Sequence, residues 1–88
     1  MVMDGQFLAV FNSAHRVMKA EGILKGLGLE ILLIPAPRQL QTDCGLALRF
    51  SEDRYDAVMG ALEEHRLLPA FVSRREHDTY TIVWGETV

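Results

Sequence analysis

Cys44 is the one thiol in the sequence, and it stands in Gln41-Thr42-Asp43-Cys44-Gly45, between a proline-rich stretch and an apolar run. That spacing predicts a sulfur at the mouth of a strand, where exchange chemistry through a thiolate is open to it. The bland alternative is a small hydrophobe that happens to be cysteine, since free cysteines are commonly buried and inert. Arg38 precedes it in the same loop and Arg49 follows in the next strand. Either guanidinium would favour a thiolate, while Asp43 would oppose it. Gly45 removes side-chain bulk next to the sulfur, which either admits a reaction partner or permits a tight turn.

His15 is the second candidate. In Phe11-Asn12-Ser13-Ala14-His15 it falls in the first turn of a helix, where an imidazole can shuttle a proton or help a helix N-terminus hold an anion. Its plain reading is a partly exposed helix histidine. His65 reads as a cation at a helix end and His77 as a turn residue. No pair of histidines, cysteines or carboxylates has the tight spacing of a zinc or calcium site, so neither a metal nor a cofactor is expected. Gly26-Leu27-Gly28 follows a helix and does not join a strand to a helix start, so it reads as a cap and not as a phosphate cradle. Glu63-Glu64 reads as a solvated face, and Arg74-Arg75 is too small for a nucleic-acid patch.

The elements that must position these residues follow from periodicity. Gln6 to Phe11 is apolar on both alternating sets, as in a central strand covered on two faces. Asn12 or Ser13 then opens a helix with the stripe Ala14, Val17, Ala20, Leu24, Leu27, which Gly26 and Gly28 should end. Leu29 to Ile34 reads as a second strand halted by Pro35 and Pro37, and a loop of about nine residues follows. Gly45 to Phe50 alternates as a third strand. Ser51 should cap a second helix, with Glu52 and Asp53 in its first turn, His65 and Arg66 in its last, and Tyr55, Val58, Met59 and Leu62 buried. Ala70 to Arg74 and Thr79 to Trp84 complete the pattern as strands around a Glu76-His77-Asp78 turn.

The expected fold is therefore α+β: a ferredoxin-like, split βαβ sandwich, βαββαβ plus a C-terminal strand, with two helices on one face of an antiparallel sheet. The other face would be bare. A second subunit is its simplest cover, so a homo-oligomer is expected through that face.

Composition sets the outer limits. With 88 residues the chain makes one domain, spanning 1–88, and its 49% hydrophobic content exceeds that of a disordered chain. A net charge of −3 disfavours nucleic acid. A lone cysteine fits a reducing compartment, no apolar run is long enough to span a bilayer, and the first residues lack an export signal. A cytoplasmic, non-membrane protein is expected.

Phe11-Asn-Ser-Ala-His15, Leu33-Ile-Pro-Ala-Pro-Arg38 and Asp43-Cys-Gly-Leu-Ala-Leu-Arg-Phe50 together resemble the Se/S carrier protein-like family of small bacterial and archaeal proteins. The resemblance covers roughly Phe7 to Leu68. Members of that family also occur fused, in selenium-metabolism proteins, beside a sulfur-carrier domain of the TusA type. The Cys-Pro-x-Pro motif of that partner is missing here, so this chain is not that carrier. What the resemblance implies is a sulfur or selenium acceptor at Cys44, surrounded by Arg38, Arg49, His15 and Gly45, with donor and acceptor proteins as partners. A regulatory or assembly module, binding a partner or small metabolite on the open sheet face while Cys44 only packs, is the alternative from another class. An independent enzyme is the weakest reading, because no paired acid and base can be placed.

Overall fold

A computed structural model describes residues 2–40 and 42–85. Five strands, β1 (Phe7–Val10), β2 (Leu32–Pro35), β3 (Leu46–Phe50), β4 (Phe71–Glu76) and β5 (Thr79–Gly85), form one sheet in the order β2-β3-β1-β4-β5. Every neighbouring pair is antiparallel. Helix α1 (Ala14–Gly26) joins β1 to β2, and α2 (Tyr55–Glu64) joins β3 to β4.

The double apolar alternation of the first strand has the predicted consequence: β1 is central, flanked by β3 and β4, with Phe7, Leu8, Ala9 and Val10 all buried. One of its faces carries both helices. Phe7, Ala9, Leu48, Phe50 and Val72 pack there against Val17, Ala20 and Leu24 of α1 and Val58 and Leu62 of α2. Phe7 anchors this layer, meeting the Phe50 ring at 5.9 Å and the Tyr55 ring edge-on at 5.3 Å.

The opposite face is less bare than the sequence suggests. Leu8, Val10 and Ala47 are buried there without a helix above them, because Val2 packs onto them and Leu40 and Tyr80 flank the cluster. Val2 reaches this place through a turn in which Gln6 N–H donates to Met3 O at 3.0 Å. Arg75 holds the segment there: its guanidinium donates to Val2 O and pairs with Asp4 at 3.5 Å, and its carbonyl accepts from Gly5 N–H at 2.8 Å. The chain thus supplies part of the cover expected from a second subunit.

Helix ends depart from the sequence reading for local reasons. Ser13 caps α1 as expected, its Oγ accepting from Arg16 N–H at 3.1 Å. Gly26 is the last helical residue and Gly28, at φ +78, is what ends α1. Leu29 N–H reaches back to Leu24 O at 3.0 Å and Gly28 N–H to Lys25 O at 2.9 Å, a Schellman closure that occupies Leu29 and moves the start of β2 to Leu32. Ser51 does not cap α2 by its side chain. Its hydroxyl donates to the Asp53 carboxylate, and a 3-10 turn over Glu52–Arg54 precedes the helix. The same 6→1 closure ends α2, Leu67 N–H donating to Leu62 O at 2.8 Å, with Arg66 at φ 57 in the position glycine usually fills. His65 and Arg66 therefore lie beyond the last helical turn.

Candidate functional site

Cys44 sits where the loop after β2 enters β3, half-buried against the helix-side core. Thr42 shapes this entrance: its Oγ1 accepts from Cys44 N–H at 3.3 Å, a side-chain-closed turn across two residues. The same oxygen lies 3.5 Å from Cys44 Sγ. The thiol has two further acceptors, Phe11 O and Leu46 O, each at 3.4 Å. A thiol has one proton, so it donates to one carbonyl at a time, whereas the Thr42 hydroxyl can either donate to sulfur or accept from it. The sulfur is thereby pinned between the end of β1 and the start of β3.

Gly45 has φ +72, and among the described residues other than its two chain neighbours a Cβ built there would meet nothing within 4 Å. Of the two roles open to it in the sequence, the backbone shows the turn: Gly45 O accepts from Ala36 N–H at 2.9 Å, tying the end of β2 to the Cys44 turn.

The remaining candidates are not gathered around the sulfur. Arg49 lies three strand residues beyond Leu46, roughly 10 Å further along at about 3.3 Å per residue, opposite Leu8 and Leu32 and hence on the face away from the helices. Arg38 is exposed in the turn closed by Leu40 N–H donating to Pro37 O at 3.0 Å. His15 is exposed on the first turn of α1. Its helix starts at the same end of the sheet as the sulfur, because Phe11, whose carbonyl meets Sγ, immediately precedes Asn12 and the Ser13 cap. Among the described residues, no hydrogen bond or ion pair joins Arg38 or His15 to Cys44. His65 and His77 are exposed, His77 at φ 59 in the β4–β5 turn, and no group of three His, Cys, Asp or Glu among the described residues could hold a metal ion.

Three features escaped the sequence reading. Thr42 was legible in principle, since a threonine two residues before a loop cysteine is the spacing of a side-chain turn. The Phe11 and Leu46 carbonyls carry no side-chain signal. The third is a groove of ≈ 1010 Å³ on the helix-free face, running from the Thr42-Asp43 loop across Val10, Phe71 and Ser73 to Tyr80, Ile82 and Trp84. It is built from four separate segments, so nothing local announces it. Cys44 does not line it.

With this geometry in place, comparison with known families shows that residues 6–73 match the family described as Putative Se/S carrier protein-like. No curated protein matches the chain, and no solved structure does.

Proposed function

The chain belongs to the Se/S carrier protein-like family, and from that premise we propose that Cys44 takes up one sulfur or selenium atom and hands it to an acceptor thiol. The observation that carries this reading is the placement of the family span's one thiol on a half-exposed loop, held by Thr42 and two backbone carbonyls. In the loading step the Cys44 thiolate attacks the terminal sulfur of a donor persulfide. A new S–S bond forms on Cys44, the donor's S–S bond breaks, and the donor leaves as a thiolate, with no net oxidation. Unloading is the same displacement by the acceptor's thiolate. Selenium at the terminal position follows the same balance.

Donor and acceptor proteins are the partners this chemistry needs, and a reducing cytoplasm is the compartment that keeps the thiol available. The strand order supports a split βαβ, ferredoxin-like connectivity, with β3 between β1 and β2, β4 on the other side of β1, and β5 added at the edge. Self-association through the helix-free face stays part of the proposal, now limited to the area Val2 leaves open. Arg38, Arg49 and His15 enter it as groups that act on an incoming anion at longer range than hydrogen bonding.

Intact-mass measurement after incubation with a persulfide donor tests the reading. The wild type gains one sulfur mass that dithiothreitol removes, and Cys44→Ser gains none while keeping its fold. A wild type that stays unlabelled where a known carrier labels overturns it. The groove on the helix-free face favours the second reading, a partner- or metabolite-binding module whose Cys44 only packs, and that reading takes over if labelling fails.

A further inference from the structure

The groove on the helix-free face has a floor that the rest of the fold leaves incomplete. Ser73 stands directly opposite Leu8 in the β1–β4 register and shares its face, fully buried, and its Oγ has no hydrogen-bond partner. An unpaired buried hydroxyl is costly, and here it lies under an open groove into which a polar group can come. Phe71 and Tyr80 supply aromatic surface along the same groove, while Trp84, opposite Val72 and packed against the helix-side core, borders it. At the loop end, the one carboxylate side chain in the lining, among the described residues, is that of Asp43. Among the described residues, no lysine, arginine or histidine lines it.

From this charge pattern we infer that the groove is a binding site for a small organic ammonium compound with a flat apolar body, and that it rejects anions. The ring lies on the Phe71–Tyr80 surface, where a nearby cation is also attracted to the ring faces. The ammonium faces Asp43. Ser73 Oγ gains a partner from the ligand or from water carried with it. Anionic compounds, phosphorylated ones included, meet that carboxylate, and the Arg75 guanidinium on the same face is already engaged by Asp4, Asp78 and the Val2 and His77 carbonyls. The inference does not rest on the reactivity of Cys44, whose sulfur is not part of the lining.

Phenethylamine and phenylacetate make the test, since they share a ring and differ in the sign of their charge. Trp84 is the chain's one tryptophan, so its fluorescence reports the groove, with amide NMR shifts locating the site. Phenethylamine is expected to saturate in the millimolar range and to bind at least tenfold more tightly than phenylacetate. Asp43→Asn should bring the two within about twofold, while Asp78→Asn, at an exposed acid outside the groove, leaves the ratio unchanged. Ser73→Ala should weaken phenethylamine several-fold. Repeating the titration on Cys44→Ser should give the wild-type result, which separates this site from the carrier reading. Absence of a saturable response by 20 mM phenethylamine in the wild type, or phenylacetate binding as tightly, overturns the inference without recourse to any variant.

Discussion

Gly45→Ala separates the two roles a glycine beside a candidate nucleophile can have. Its φ of +72 lies in the left-handed region, and an added Cβ would find open space, so the backbone conformation is the whole cost. That cost is about 1–2 kcal/mol for an L-residue. For 88 residues the unfolding entropy is about 185 cal/mol/K, so the melting temperature should fall by roughly 5–10 °C. Gly45→Asn should lose less than half as much, because asparagine tolerates this region. Gly85→Ala is the contrast: φ is +96 and a Cβ would lie 2.5 Å from Ala70 O and 2.7 Å from Phe71 Cα, so its loss should exceed that of Gly45→Ala. Thermal unfolding followed by circular dichroism measures all three. Iodoacetamide alkylation of Cys44, run in parallel, should keep the wild-type rate within about twofold in Gly45→Asn if the glycine serves the turn rather than the approach to the sulfur. If Gly45→Ala melts with the wild type, or Asn is no better than Ala, the conformational account fails. If both fold normally yet block alkylation, the glycine clears the approach and the turn is secondary.

Arg66→Gly should stabilise the protein by about 1 kcal/mol, near 5 °C in melting temperature, since it removes a left-handed non-glycine residue (φ 57) from the α2 closure. Ser13→Ala should cost about 1 kcal/mol by leaving Arg16 N–H without its cap, measurable by urea unfolding. Leu62→Ala, at a fully buried position under α2, should cost about 2–5 kcal/mol by the same assay. The hydrogen bond from Ser51 and, to a lesser extent, the charge of Arg54 hold the Asp53 carboxyl below the usual aspartate range. Because the folded value is the lower one, any stability it adds is present above the unfolded value and lost as pH falls through the folded one. Carboxyl NMR titration should show the midpoint rising in Ser51→Ala.

Residue order was enough to read the parts of the fold that depend on neighbours a few residues apart. Double alternation over Phe7–Val10 made β1 central, Val17, Ala20 and Leu24 of the α1 stripe and Val58 and Leu62 of the α2 stripe chose the face they bury while Ala14 and Leu27 at the ends of the α1 stripe stay exposed, and of the residues offered for the ends of α1 Ser13 caps it and Gly28 closes it, since pattern and backbone preference are local properties. Cys44 was legible as a loop thiol for the same reason. Tertiary structure decided what surrounds that thiol: a strand rises about 3.3 Å per residue, so Arg49, near in sequence, is carried away, while Phe11, 33 residues distant, comes within 3.4 Å of the sulfur. It also decided the cover of the second sheet face and the groove beside it. Val2, Leu40, Ser73 and Tyr80 meet there only because β1, β3, β4 and β5 pair side by side, a long-range arrangement that leaves no trace in the spacing of any one segment.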